Sequence, residues 1–296
     1  MTCLAHRAKW VLLLPVVLLM AGATPGVRVQ TQLPQRPTAI LAAMSVEADP
    51  IKERMTDKET QTLLGIRFIS GRLEGRPVVL AVTGAGKVNA AMATALLLDH
   101  FQPAEVIFTG IAGGLNPDLQ PGDVVIGSKL AQHDLGAIAP TGYQPSAVRN
   151  PATGKQNPLY FPCDANLAAI ARRAAGQRAL LTVDGSFRPA KVVDGVIVTG
   201  DVFVASAEKR SALHNDFQAD AVEMEGAAVA QVCFQQQVPF LVLRALSDSA
   251  DEKAYKDLKA SLKVAIQNSV GLTIALVAQL QEDAAASAAS APAGLQ

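Results

Sequence analysis

Short apolar runs rich in valine and isoleucine alternate along this chain with longer stretches of helical periodicity, and that alternation limits the folds open to it. The runs are Ala39–Met44, Val78–Thr83, Val106–Thr109, Asp123–Ser128, Val196–Thr199 and Phe240–Leu246. Helical patterns occupy Val88–Phe101, Ala165–Ala175, Ala205–Phe217, Gly226–Gln236 and Asp257–Gln281. Strands that are apolar throughout, rather than alternating, are buried on both faces. Strand–helix alternation of this kind predicts an α/β fold, with a parallel or mixed sheet and helices on both sides of it.

The two ends read differently from the middle. His6, Arg7 and Lys9 precede the apolar run Trp10–Met20, and Ala21-Gly22-Ala23 offers a small-residue cleavage site. These are the three parts of a secretory signal peptide, predicted over residues 1–23. The run is too short for a spanning helix of roughly 20 residues, which speaks against a retained membrane anchor. Export to the periplasm or beyond is the expectation, with no membrane anchor after cleavage. Residues 24–37 contain three prolines and no apolar period, so they are expected to be a linker. Residues 283–296, rich in alanine and serine, are expected to be a disordered tail. The catalytic or binding domain should then span 38–282.

Composition excludes several classes. With 26 basic and 26 acidic residues the chain lacks the basic surplus of a nucleic-acid binder. Half of it is hydrophobic, which argues against disorder. Three cysteines are too few for a disulfide scaffold, and Cys3 leaves with the signal. Cys163 and Cys233 could pair or stay as buried thiols, and the apolar helical setting of Cys233 favours the latter. The stretch 136–164 is rich in Pro, Gly and Asn and too long for an ordinary connection, so it is expected to be functional, as a lid or a contact between subunits.

Ligands of open α/β sheets bind outside the carboxyl ends of the strands, and the unusual residues of this chain fall there. Glu47 follows the first run, Gly84-Ala85-Gly86-Lys87 the second, and Gly110-Ile111-Ala112-Gly113-Gly114 the third. A short Ala219–Val222 segment leads into Glu223-Met224-Glu225, and Phe240–Leu246 into Ser247-Asp248. Each acid has a plain structural reading: a first-turn helix acid for Glu47, an N-cap for Asp248, a salt bridge for Glu223 or Glu225. Two glycine turns and four carboxylates at corresponding strand ends point instead to a shared site. Gly84–Val88 is not a nucleotide phosphate loop, because Ala81 and Val88 occupy positions that need Gly and Ser or Thr. Close approach of backbone to a small ligand is the remaining reading. His133-Asp134 has too few further ligands for a metal site, and no G-x-S-x-G elbow occurs.

Four segments in order, TGAGKVNAA, FTGIAGGLNPDLQPGDVVIGS, VEMEGAAVAQVC and VPFLVLRALSDSAD, resemble the purine nucleoside phosphorylase/uridine phosphorylase superfamily. The likeness is greatest to the 5'-methylthioadenosine/S-adenosylhomocysteine nucleosidases, and it runs over about 38–281 with 136–164 divergent. The resemblance implies a nucleoside phosphorylase-like, three-layer α/β/α fold with a central mixed sheet, a homodimer, and neither cofactor nor metal. It implies a small-molecule partner, an adenine nucleoside, whose N-glycosidic bond is cut by water. It also implies roles. Glu47 would activate the water and Asp248, set by Ser247, would protonate the purine. Glu225 would hold the ribose hydroxyls with Glu223 in support. Met224 would pack on the nucleoside, Phe203-Val204 would bind adenine, Gly113 would approach the substrate, and Arg244 belongs to the R-A-x-S-D motif.

Those roles make chemical sense on their own. Loss of a purine from ribose passes through an oxocarbenium-like state, as in glycoside hydrolysis. The departing base needs an acid and the water needs a base. Phosphorylases of the superfamily use arginine and hydroxyl donors for phosphate, whereas this chain has Glu47 at the first strand end and Ile111 in the glycine motif. Water is therefore the expected nucleophile; a phosphorylase and an exported, non-catalytic nucleoside-binding protein are the competing classes. Ile111 stands where nucleosidases commonly have Ser, Ala85 where they have a bulkier aliphatic, and Tyr255 or Leu258 near an expected Phe. An altered preference for the 5' substituent is expected from these departures.

Overall fold

The computed structural model describes residues 35–290. The predicted signal peptide and most of the predicted linker lie outside the described residues. In chain order the elements are β1 (Thr38–Ala42), α1 (Ser45–Arg54), β2 (Thr56–Leu63), β3 (Ile66–Leu73), β4 (Arg76–Val82), α2 (Lys87–Phe101), β5 (Glu105–Gly114) and β6 (Val124–Gln132). They continue with β7 (Gly136–Ala139), β8 (Gly142–Pro145), β9 (Phe161–Pro162), α3 (Ala165–Gly176), β10 (Val192–Thr199), α4 (Ala207–Phe217), β11 (Ala221–Glu223), α5 (Gly226–Gln235), β12 (Phe240–Asp248) and α6 (Ala254–Ser290).

The main sheet runs in the order β11-β10-β6-β12-β5-β1-β4-β3-β2, with β9 added to β6. It is mixed: β1 lies parallel to β4 and β5, and β12 parallel to β5 but antiparallel to β6. β11 also pairs antiparallel with the end of β5, so β5, β12, β6, β10 and β11 close into a ring. The helices α1, α3 and α6 cover one face over a core that includes Ile40, Leu80, Ile107, Leu241 and Leu243. The helices α2 and α5 cover the other face over Leu41, Val79, Phe108, Val229 and Val242. Ile40 and Leu41 are neighbours on β1 yet both fully buried, one in each layer. Burying such a side chain contributes about 1.5–3 kcal/mol, and a strand covered twice collects it at every position. The result is a three-layer α/β/α molecule, as expected.

Three expectations need correction. First, Gly110–Gly114 is not a turn: it continues β5 as extended strand, paired with β12 and β11. Glycines pass there because large side chains crowd the strand from both sides. Second, part of the expected disordered tail is helical, since α6 runs to Ser290. An alanine-rich segment extends a helix already nucleated and packed at little cost, and Asp283 is tied to Arg173 at 2.6 Å. Third, the expected linker is anchored at its end, where the Arg36 guanidinium donates to the carbonyls of Gln102 and Pro103.

The hydropathy of α6 would suit a membrane span by length and composition, but 56% of its apolar window is buried inside the fold. Cys163 and Cys233 are free thiols. Within 136–164, β7 and β8 form a separate two-stranded sheet before β9 rejoins β6.

Candidate active site

Three strand-to-helix passages converge on the carboxyl-terminal half of β5. After β1 the chain turns into α1, and Glu47 in its first turn folds back toward the strand. Its Oε2 accepts from the Met44 amide at 2.8 Å and its Oε1 from the Ile111 amide at 3.0 Å. Thus Glu47 is a first-turn acid, and it also grips β5. A Cβ on Gly110 would stand 2.8 Å from the Glu47 Oε1 and 3.3 Å from Arg244 Nη1, so only glycine lets both groups close on the strand.

β12 supplies the next two residues. Its register sets Arg244 opposite Gly110 and Asp248 opposite Gly113. Arg244 is 1% exposed. Its Nη2 donates to Glu223 Oε2 at 2.7 Å, and Nη1 donates to the carbonyls of Leu243 and Phe108. The guanidinium also lies 4.1 Å above the Phe108 ring. Asp248 accepts from the Ser247 hydroxyl at 2.7 Å and from the Ala250 amide at 2.9 Å. It therefore does not cap α6. A Cβ on Gly113 would come within 3.0 Å of the Asp248 Oδ1, so this glycine keeps the carboxyl against the strand.

The third passage is β11 into α5. Glu223 is the salt-bridge partner and has no capacity left for a ligand: it accepts from Arg244, from the amides of Glu225 and Gly226, and from the Thr199 hydroxyl. Its work is to fix the turn that carries Glu225. Glu225 Oε1 accepts from the Gly86 amide at 2.9 Å. Gly84 and Gly86 sit at φ of +83° and +92°, the left-handed region that favours glycine. The glycine loop thus gives this amide to a carboxylate of the protein itself, where the sequence suggested an approach to the ligand. Met224, between the two acids, is half-buried.

Phe203 is exposed and Val204 buried on the loop between β10 and α4. The Phe203 ring faces Tyr255 with centroids 4.7 Å apart. The Ser206 amide donates to the Ala250 carbonyl at 3.2 Å, which binds this loop to the segment that follows Asp248. All ten residues singled out from the sequence therefore lie on passages that meet around one half of β5. Thr199 was not singled out from the sequence, and Gly86 only as part of a loop expected to approach the ligand. Thr199 ends the strand that leads into Phe203-Val204, and that position was the available signal. Among the described residues, no three His, Cys, Asp or Glu side chains gather as a metal-holding group.

The electrostatics follow from burial. Desolvation pushes the Glu47 and Asp248 carboxyls above their usual range, against the pull of Arg244 on the first and of Ser247 on the second. Burial, followed by the neighbouring Glu223, pushes Glu225 up to about 7. A carboxyl raised on folding keeps a proton that the unfolded chain has released, so stability is lost as pH climbs from the unfolded to the folded value. For Glu225 that window runs from 4.5 to about 7. The Tm difference between wild type and Glu225→Gln is expected to change through this window in the direction of wild-type loss; a constant difference would contradict the assignment.

The phosphorylase superfamily matches residues 37–279. The chain belongs to this superfamily. Among relatives within it, the 5'-methylthioadenosine/S-adenosylhomocysteine nucleosidase of Shewanella loihica is 38% identical over 242 residues, 81% of this chain and 98% of that one. The crystal structure of such a nucleosidase from Colwellia psychrerythraea, in complex with adenine, is 36% identical with a TM-score of 0.72, covering 83% and 96%. A futalosine hydrolase of Helicobacter pylori is 32% identical with a TM-score of 0.70, covering 82% and 97%. This member of the superfamily is an N-glycosyl hydrolase.

Proposed function

We propose that the enzyme hydrolyses the N-glycosidic bond of adenine nucleosides of the methylthioadenosine/S-adenosylhomocysteine type, with Asp248 as the acid on the base and Glu47 activating water. One observation carries this reading: two buried carboxyl groups lie against Gly110 and Gly113 of the same strand. Inverting glycosidases likewise use two separate carboxyl groups, one as acid on the leaving group and one as base on a water. Burial raises the Asp248 carboxyl above its usual range, which favours the protonated form that can neutralise the departing purine. Glu47, held by two amides, takes the proton of the water on the other side of the sugar. Glu225 is aimed by Gly86 to hold the ribose hydroxyls and favours positive charge on the ring.

Water rather than phosphate fits the charge pattern. The arginine that comes nearest, Arg244, is committed to Glu223 and two carbonyls, and Glu47 would repel a dianion. Adenine release from methylthioadenosine is expected at the same rate with and without phosphate, with free sugar as co-product. Strict dependence on phosphate, with a sugar 1-phosphate formed, would replace the hydrolase by a phosphorylase. Ile111 and Ala85 support an altered 5' preference; equal ranking of adenosine, methylthioadenosine and S-adenosylhomocysteine with the ordinary nucleosidases would remove it.

Two further parts of the proposal concern setting. Export rests on the three-part leader in residues 1–23 and is read by fractionating cells that express the full chain; activity confined to the cytoplasm would refute it. A homodimer is supported by exposed Val46, Val88 and Met92 on α1 and α2. Sedimentation velocity reads it, and a monomer at micromolar concentration would refute it.

A further inference from the structure

We propose that Lys87, Asp134 and Asp201 form a clamp that keeps the ribose-side acid Glu225 and the Phe203-Val204 segment at a set spacing, which makes Lys87 and Asp134 positioning residues for the nucleoside. The inference rests on the nucleosidase reading above. Three loops leave the sheet at separate strand ends: Thr83–Gly86 after β4, His133-Asp134 after β6, and Gly200–Val204 after β10. The Lys87 ammonium reaches Asp134 Oδ1 at 2.6 Å. The Lys87 amide donates to Asp201 Oδ1 at 2.8 Å, and the Asp201 amide donates to Asp134 Oδ2 at 2.8 Å. The circuit closes on itself, each residue bonded to the other two.

Two of the three members adjoin groups assigned to the substrate, and Asp134 ties them together. Gly86, which precedes Lys87, gives its amide to Glu225. Phe203 and Val204 follow Asp201 on the same loop. The two loops are in tight register, for a Cβ on Gly86 would stand 3.1 Å from the Asp201 Oδ1. The Lys87 and Asp134 side chains are 17% and 27% exposed, so water and salt screen them less than a pair on the open surface. The chemical step calls for no ammonium at this place. What the pair supplies is geometry, and geometry shared by bound substrate and transition state shows in KM rather than in kcat.

The test uses the full chain, with steady-state adenine release from methylthioadenosine and Tm measured in parallel. Lys87→Met and Asp134→Asn are each expected to raise KM about tenfold while kcat stays within about threefold. The double variant is expected to be no worse than either single one, because both break the same contact. Lys87→Arg, which keeps the charge, is expected to hold KM within about threefold of wild type. KM values unchanged in folded single variants, or effects that multiply in the double variant, would overturn the clamp. Should Lys87→Met fail to fold, Asp134→Asn against Lys87→Arg carries the same comparison. A wild-type chain that releases no adenine would take down the nucleosidase reading and the clamp with it; turnover with a KM indifferent to Lys87 would take down the clamp alone.

Discussion

Asp248→Asn is expected to lower kcat for adenine release by about 10²–10⁴-fold, the usual worth of a general acid, with KM nearly unchanged. Asparagine keeps the shape of the side chain, and its amide oxygen can still accept from the Ala250 amide at the 2.9 Å contact. What it loses is the proton for the purine. Glu47→Gln is expected to cost a similar factor, since a carboxamide can keep the Ile111 contact yet cannot take a proton from water. The two losses differ in kind, and a substrate whose leaving group departs without protonation separates them. An activated aryl riboside should recover most of its rate in Asp248→Asn and little in Glu47→Gln. Equal recovery in both variants, or full adenine release by Asp248→Asn, would remove Asp248 from the role of acid.

Arg244→Met is expected to destabilise the protein by about 3–5 kcal/mol, because it strands the buried Glu223 carboxylate without its counter-charge. For a domain of this size that corresponds to a fall in Tm on the order of 10 °C. Arg244 is among the largest fully buried side chains, and its guanidinium is bonded on two nitrogens and stacked on Phe108. Combining it with Glu223→Gln should return part of the loss, since a carboxamide oxygen can still accept from the Gly226 and Glu225 amides while carrying no charge. A Tm within about 2 °C of wild type for Arg244→Met would mean that the pair contributes nothing net, as at an exposed site.

Much of this architecture was readable from residue order. The strands β1, β4 and β12 and the end of β10 are buried on both faces and carry the apolar runs that announce them. β2 and β3 escaped notice for the opposite reason: β2 is the edge strand, almost wholly exposed, and its sequence TDKETQTL has no apolar face to display. The short helix α1 was hidden by Pro50 and by its polar composition. The acids were legible because each lies at a strand end or within a few residues past one. Their partners were not. That Thr199 and Arg244 serve Glu223, or that Gly86 serves Glu225, depends on which strand ends become neighbours in the folded sheet. Glycines were harder to read: the run in β5 signalled crowding by side chains from either side and not a bend in the chain, and the Gly86 amide serves a carboxylate of the protein.

Taken as a balance of charge, the enclosure built on β5 is lopsided. Four carboxyl groups, on Glu47, Glu223, Glu225 and Asp248, share a single guanidinium, all five side chains are almost sealed from water, and burial pushes three of the acids toward their neutral form. A ground-state nucleoside is neutral and leaves that imbalance as it was. On the proposed reading, a sugar that has begun to separate from its base brings a cation that these acids can stabilise by giving up protons, which would favour the activated species over the resting one. Stability and speed are therefore opposed here: a second basic residue placed among these acids would make a sturdier protein and a slower catalyst.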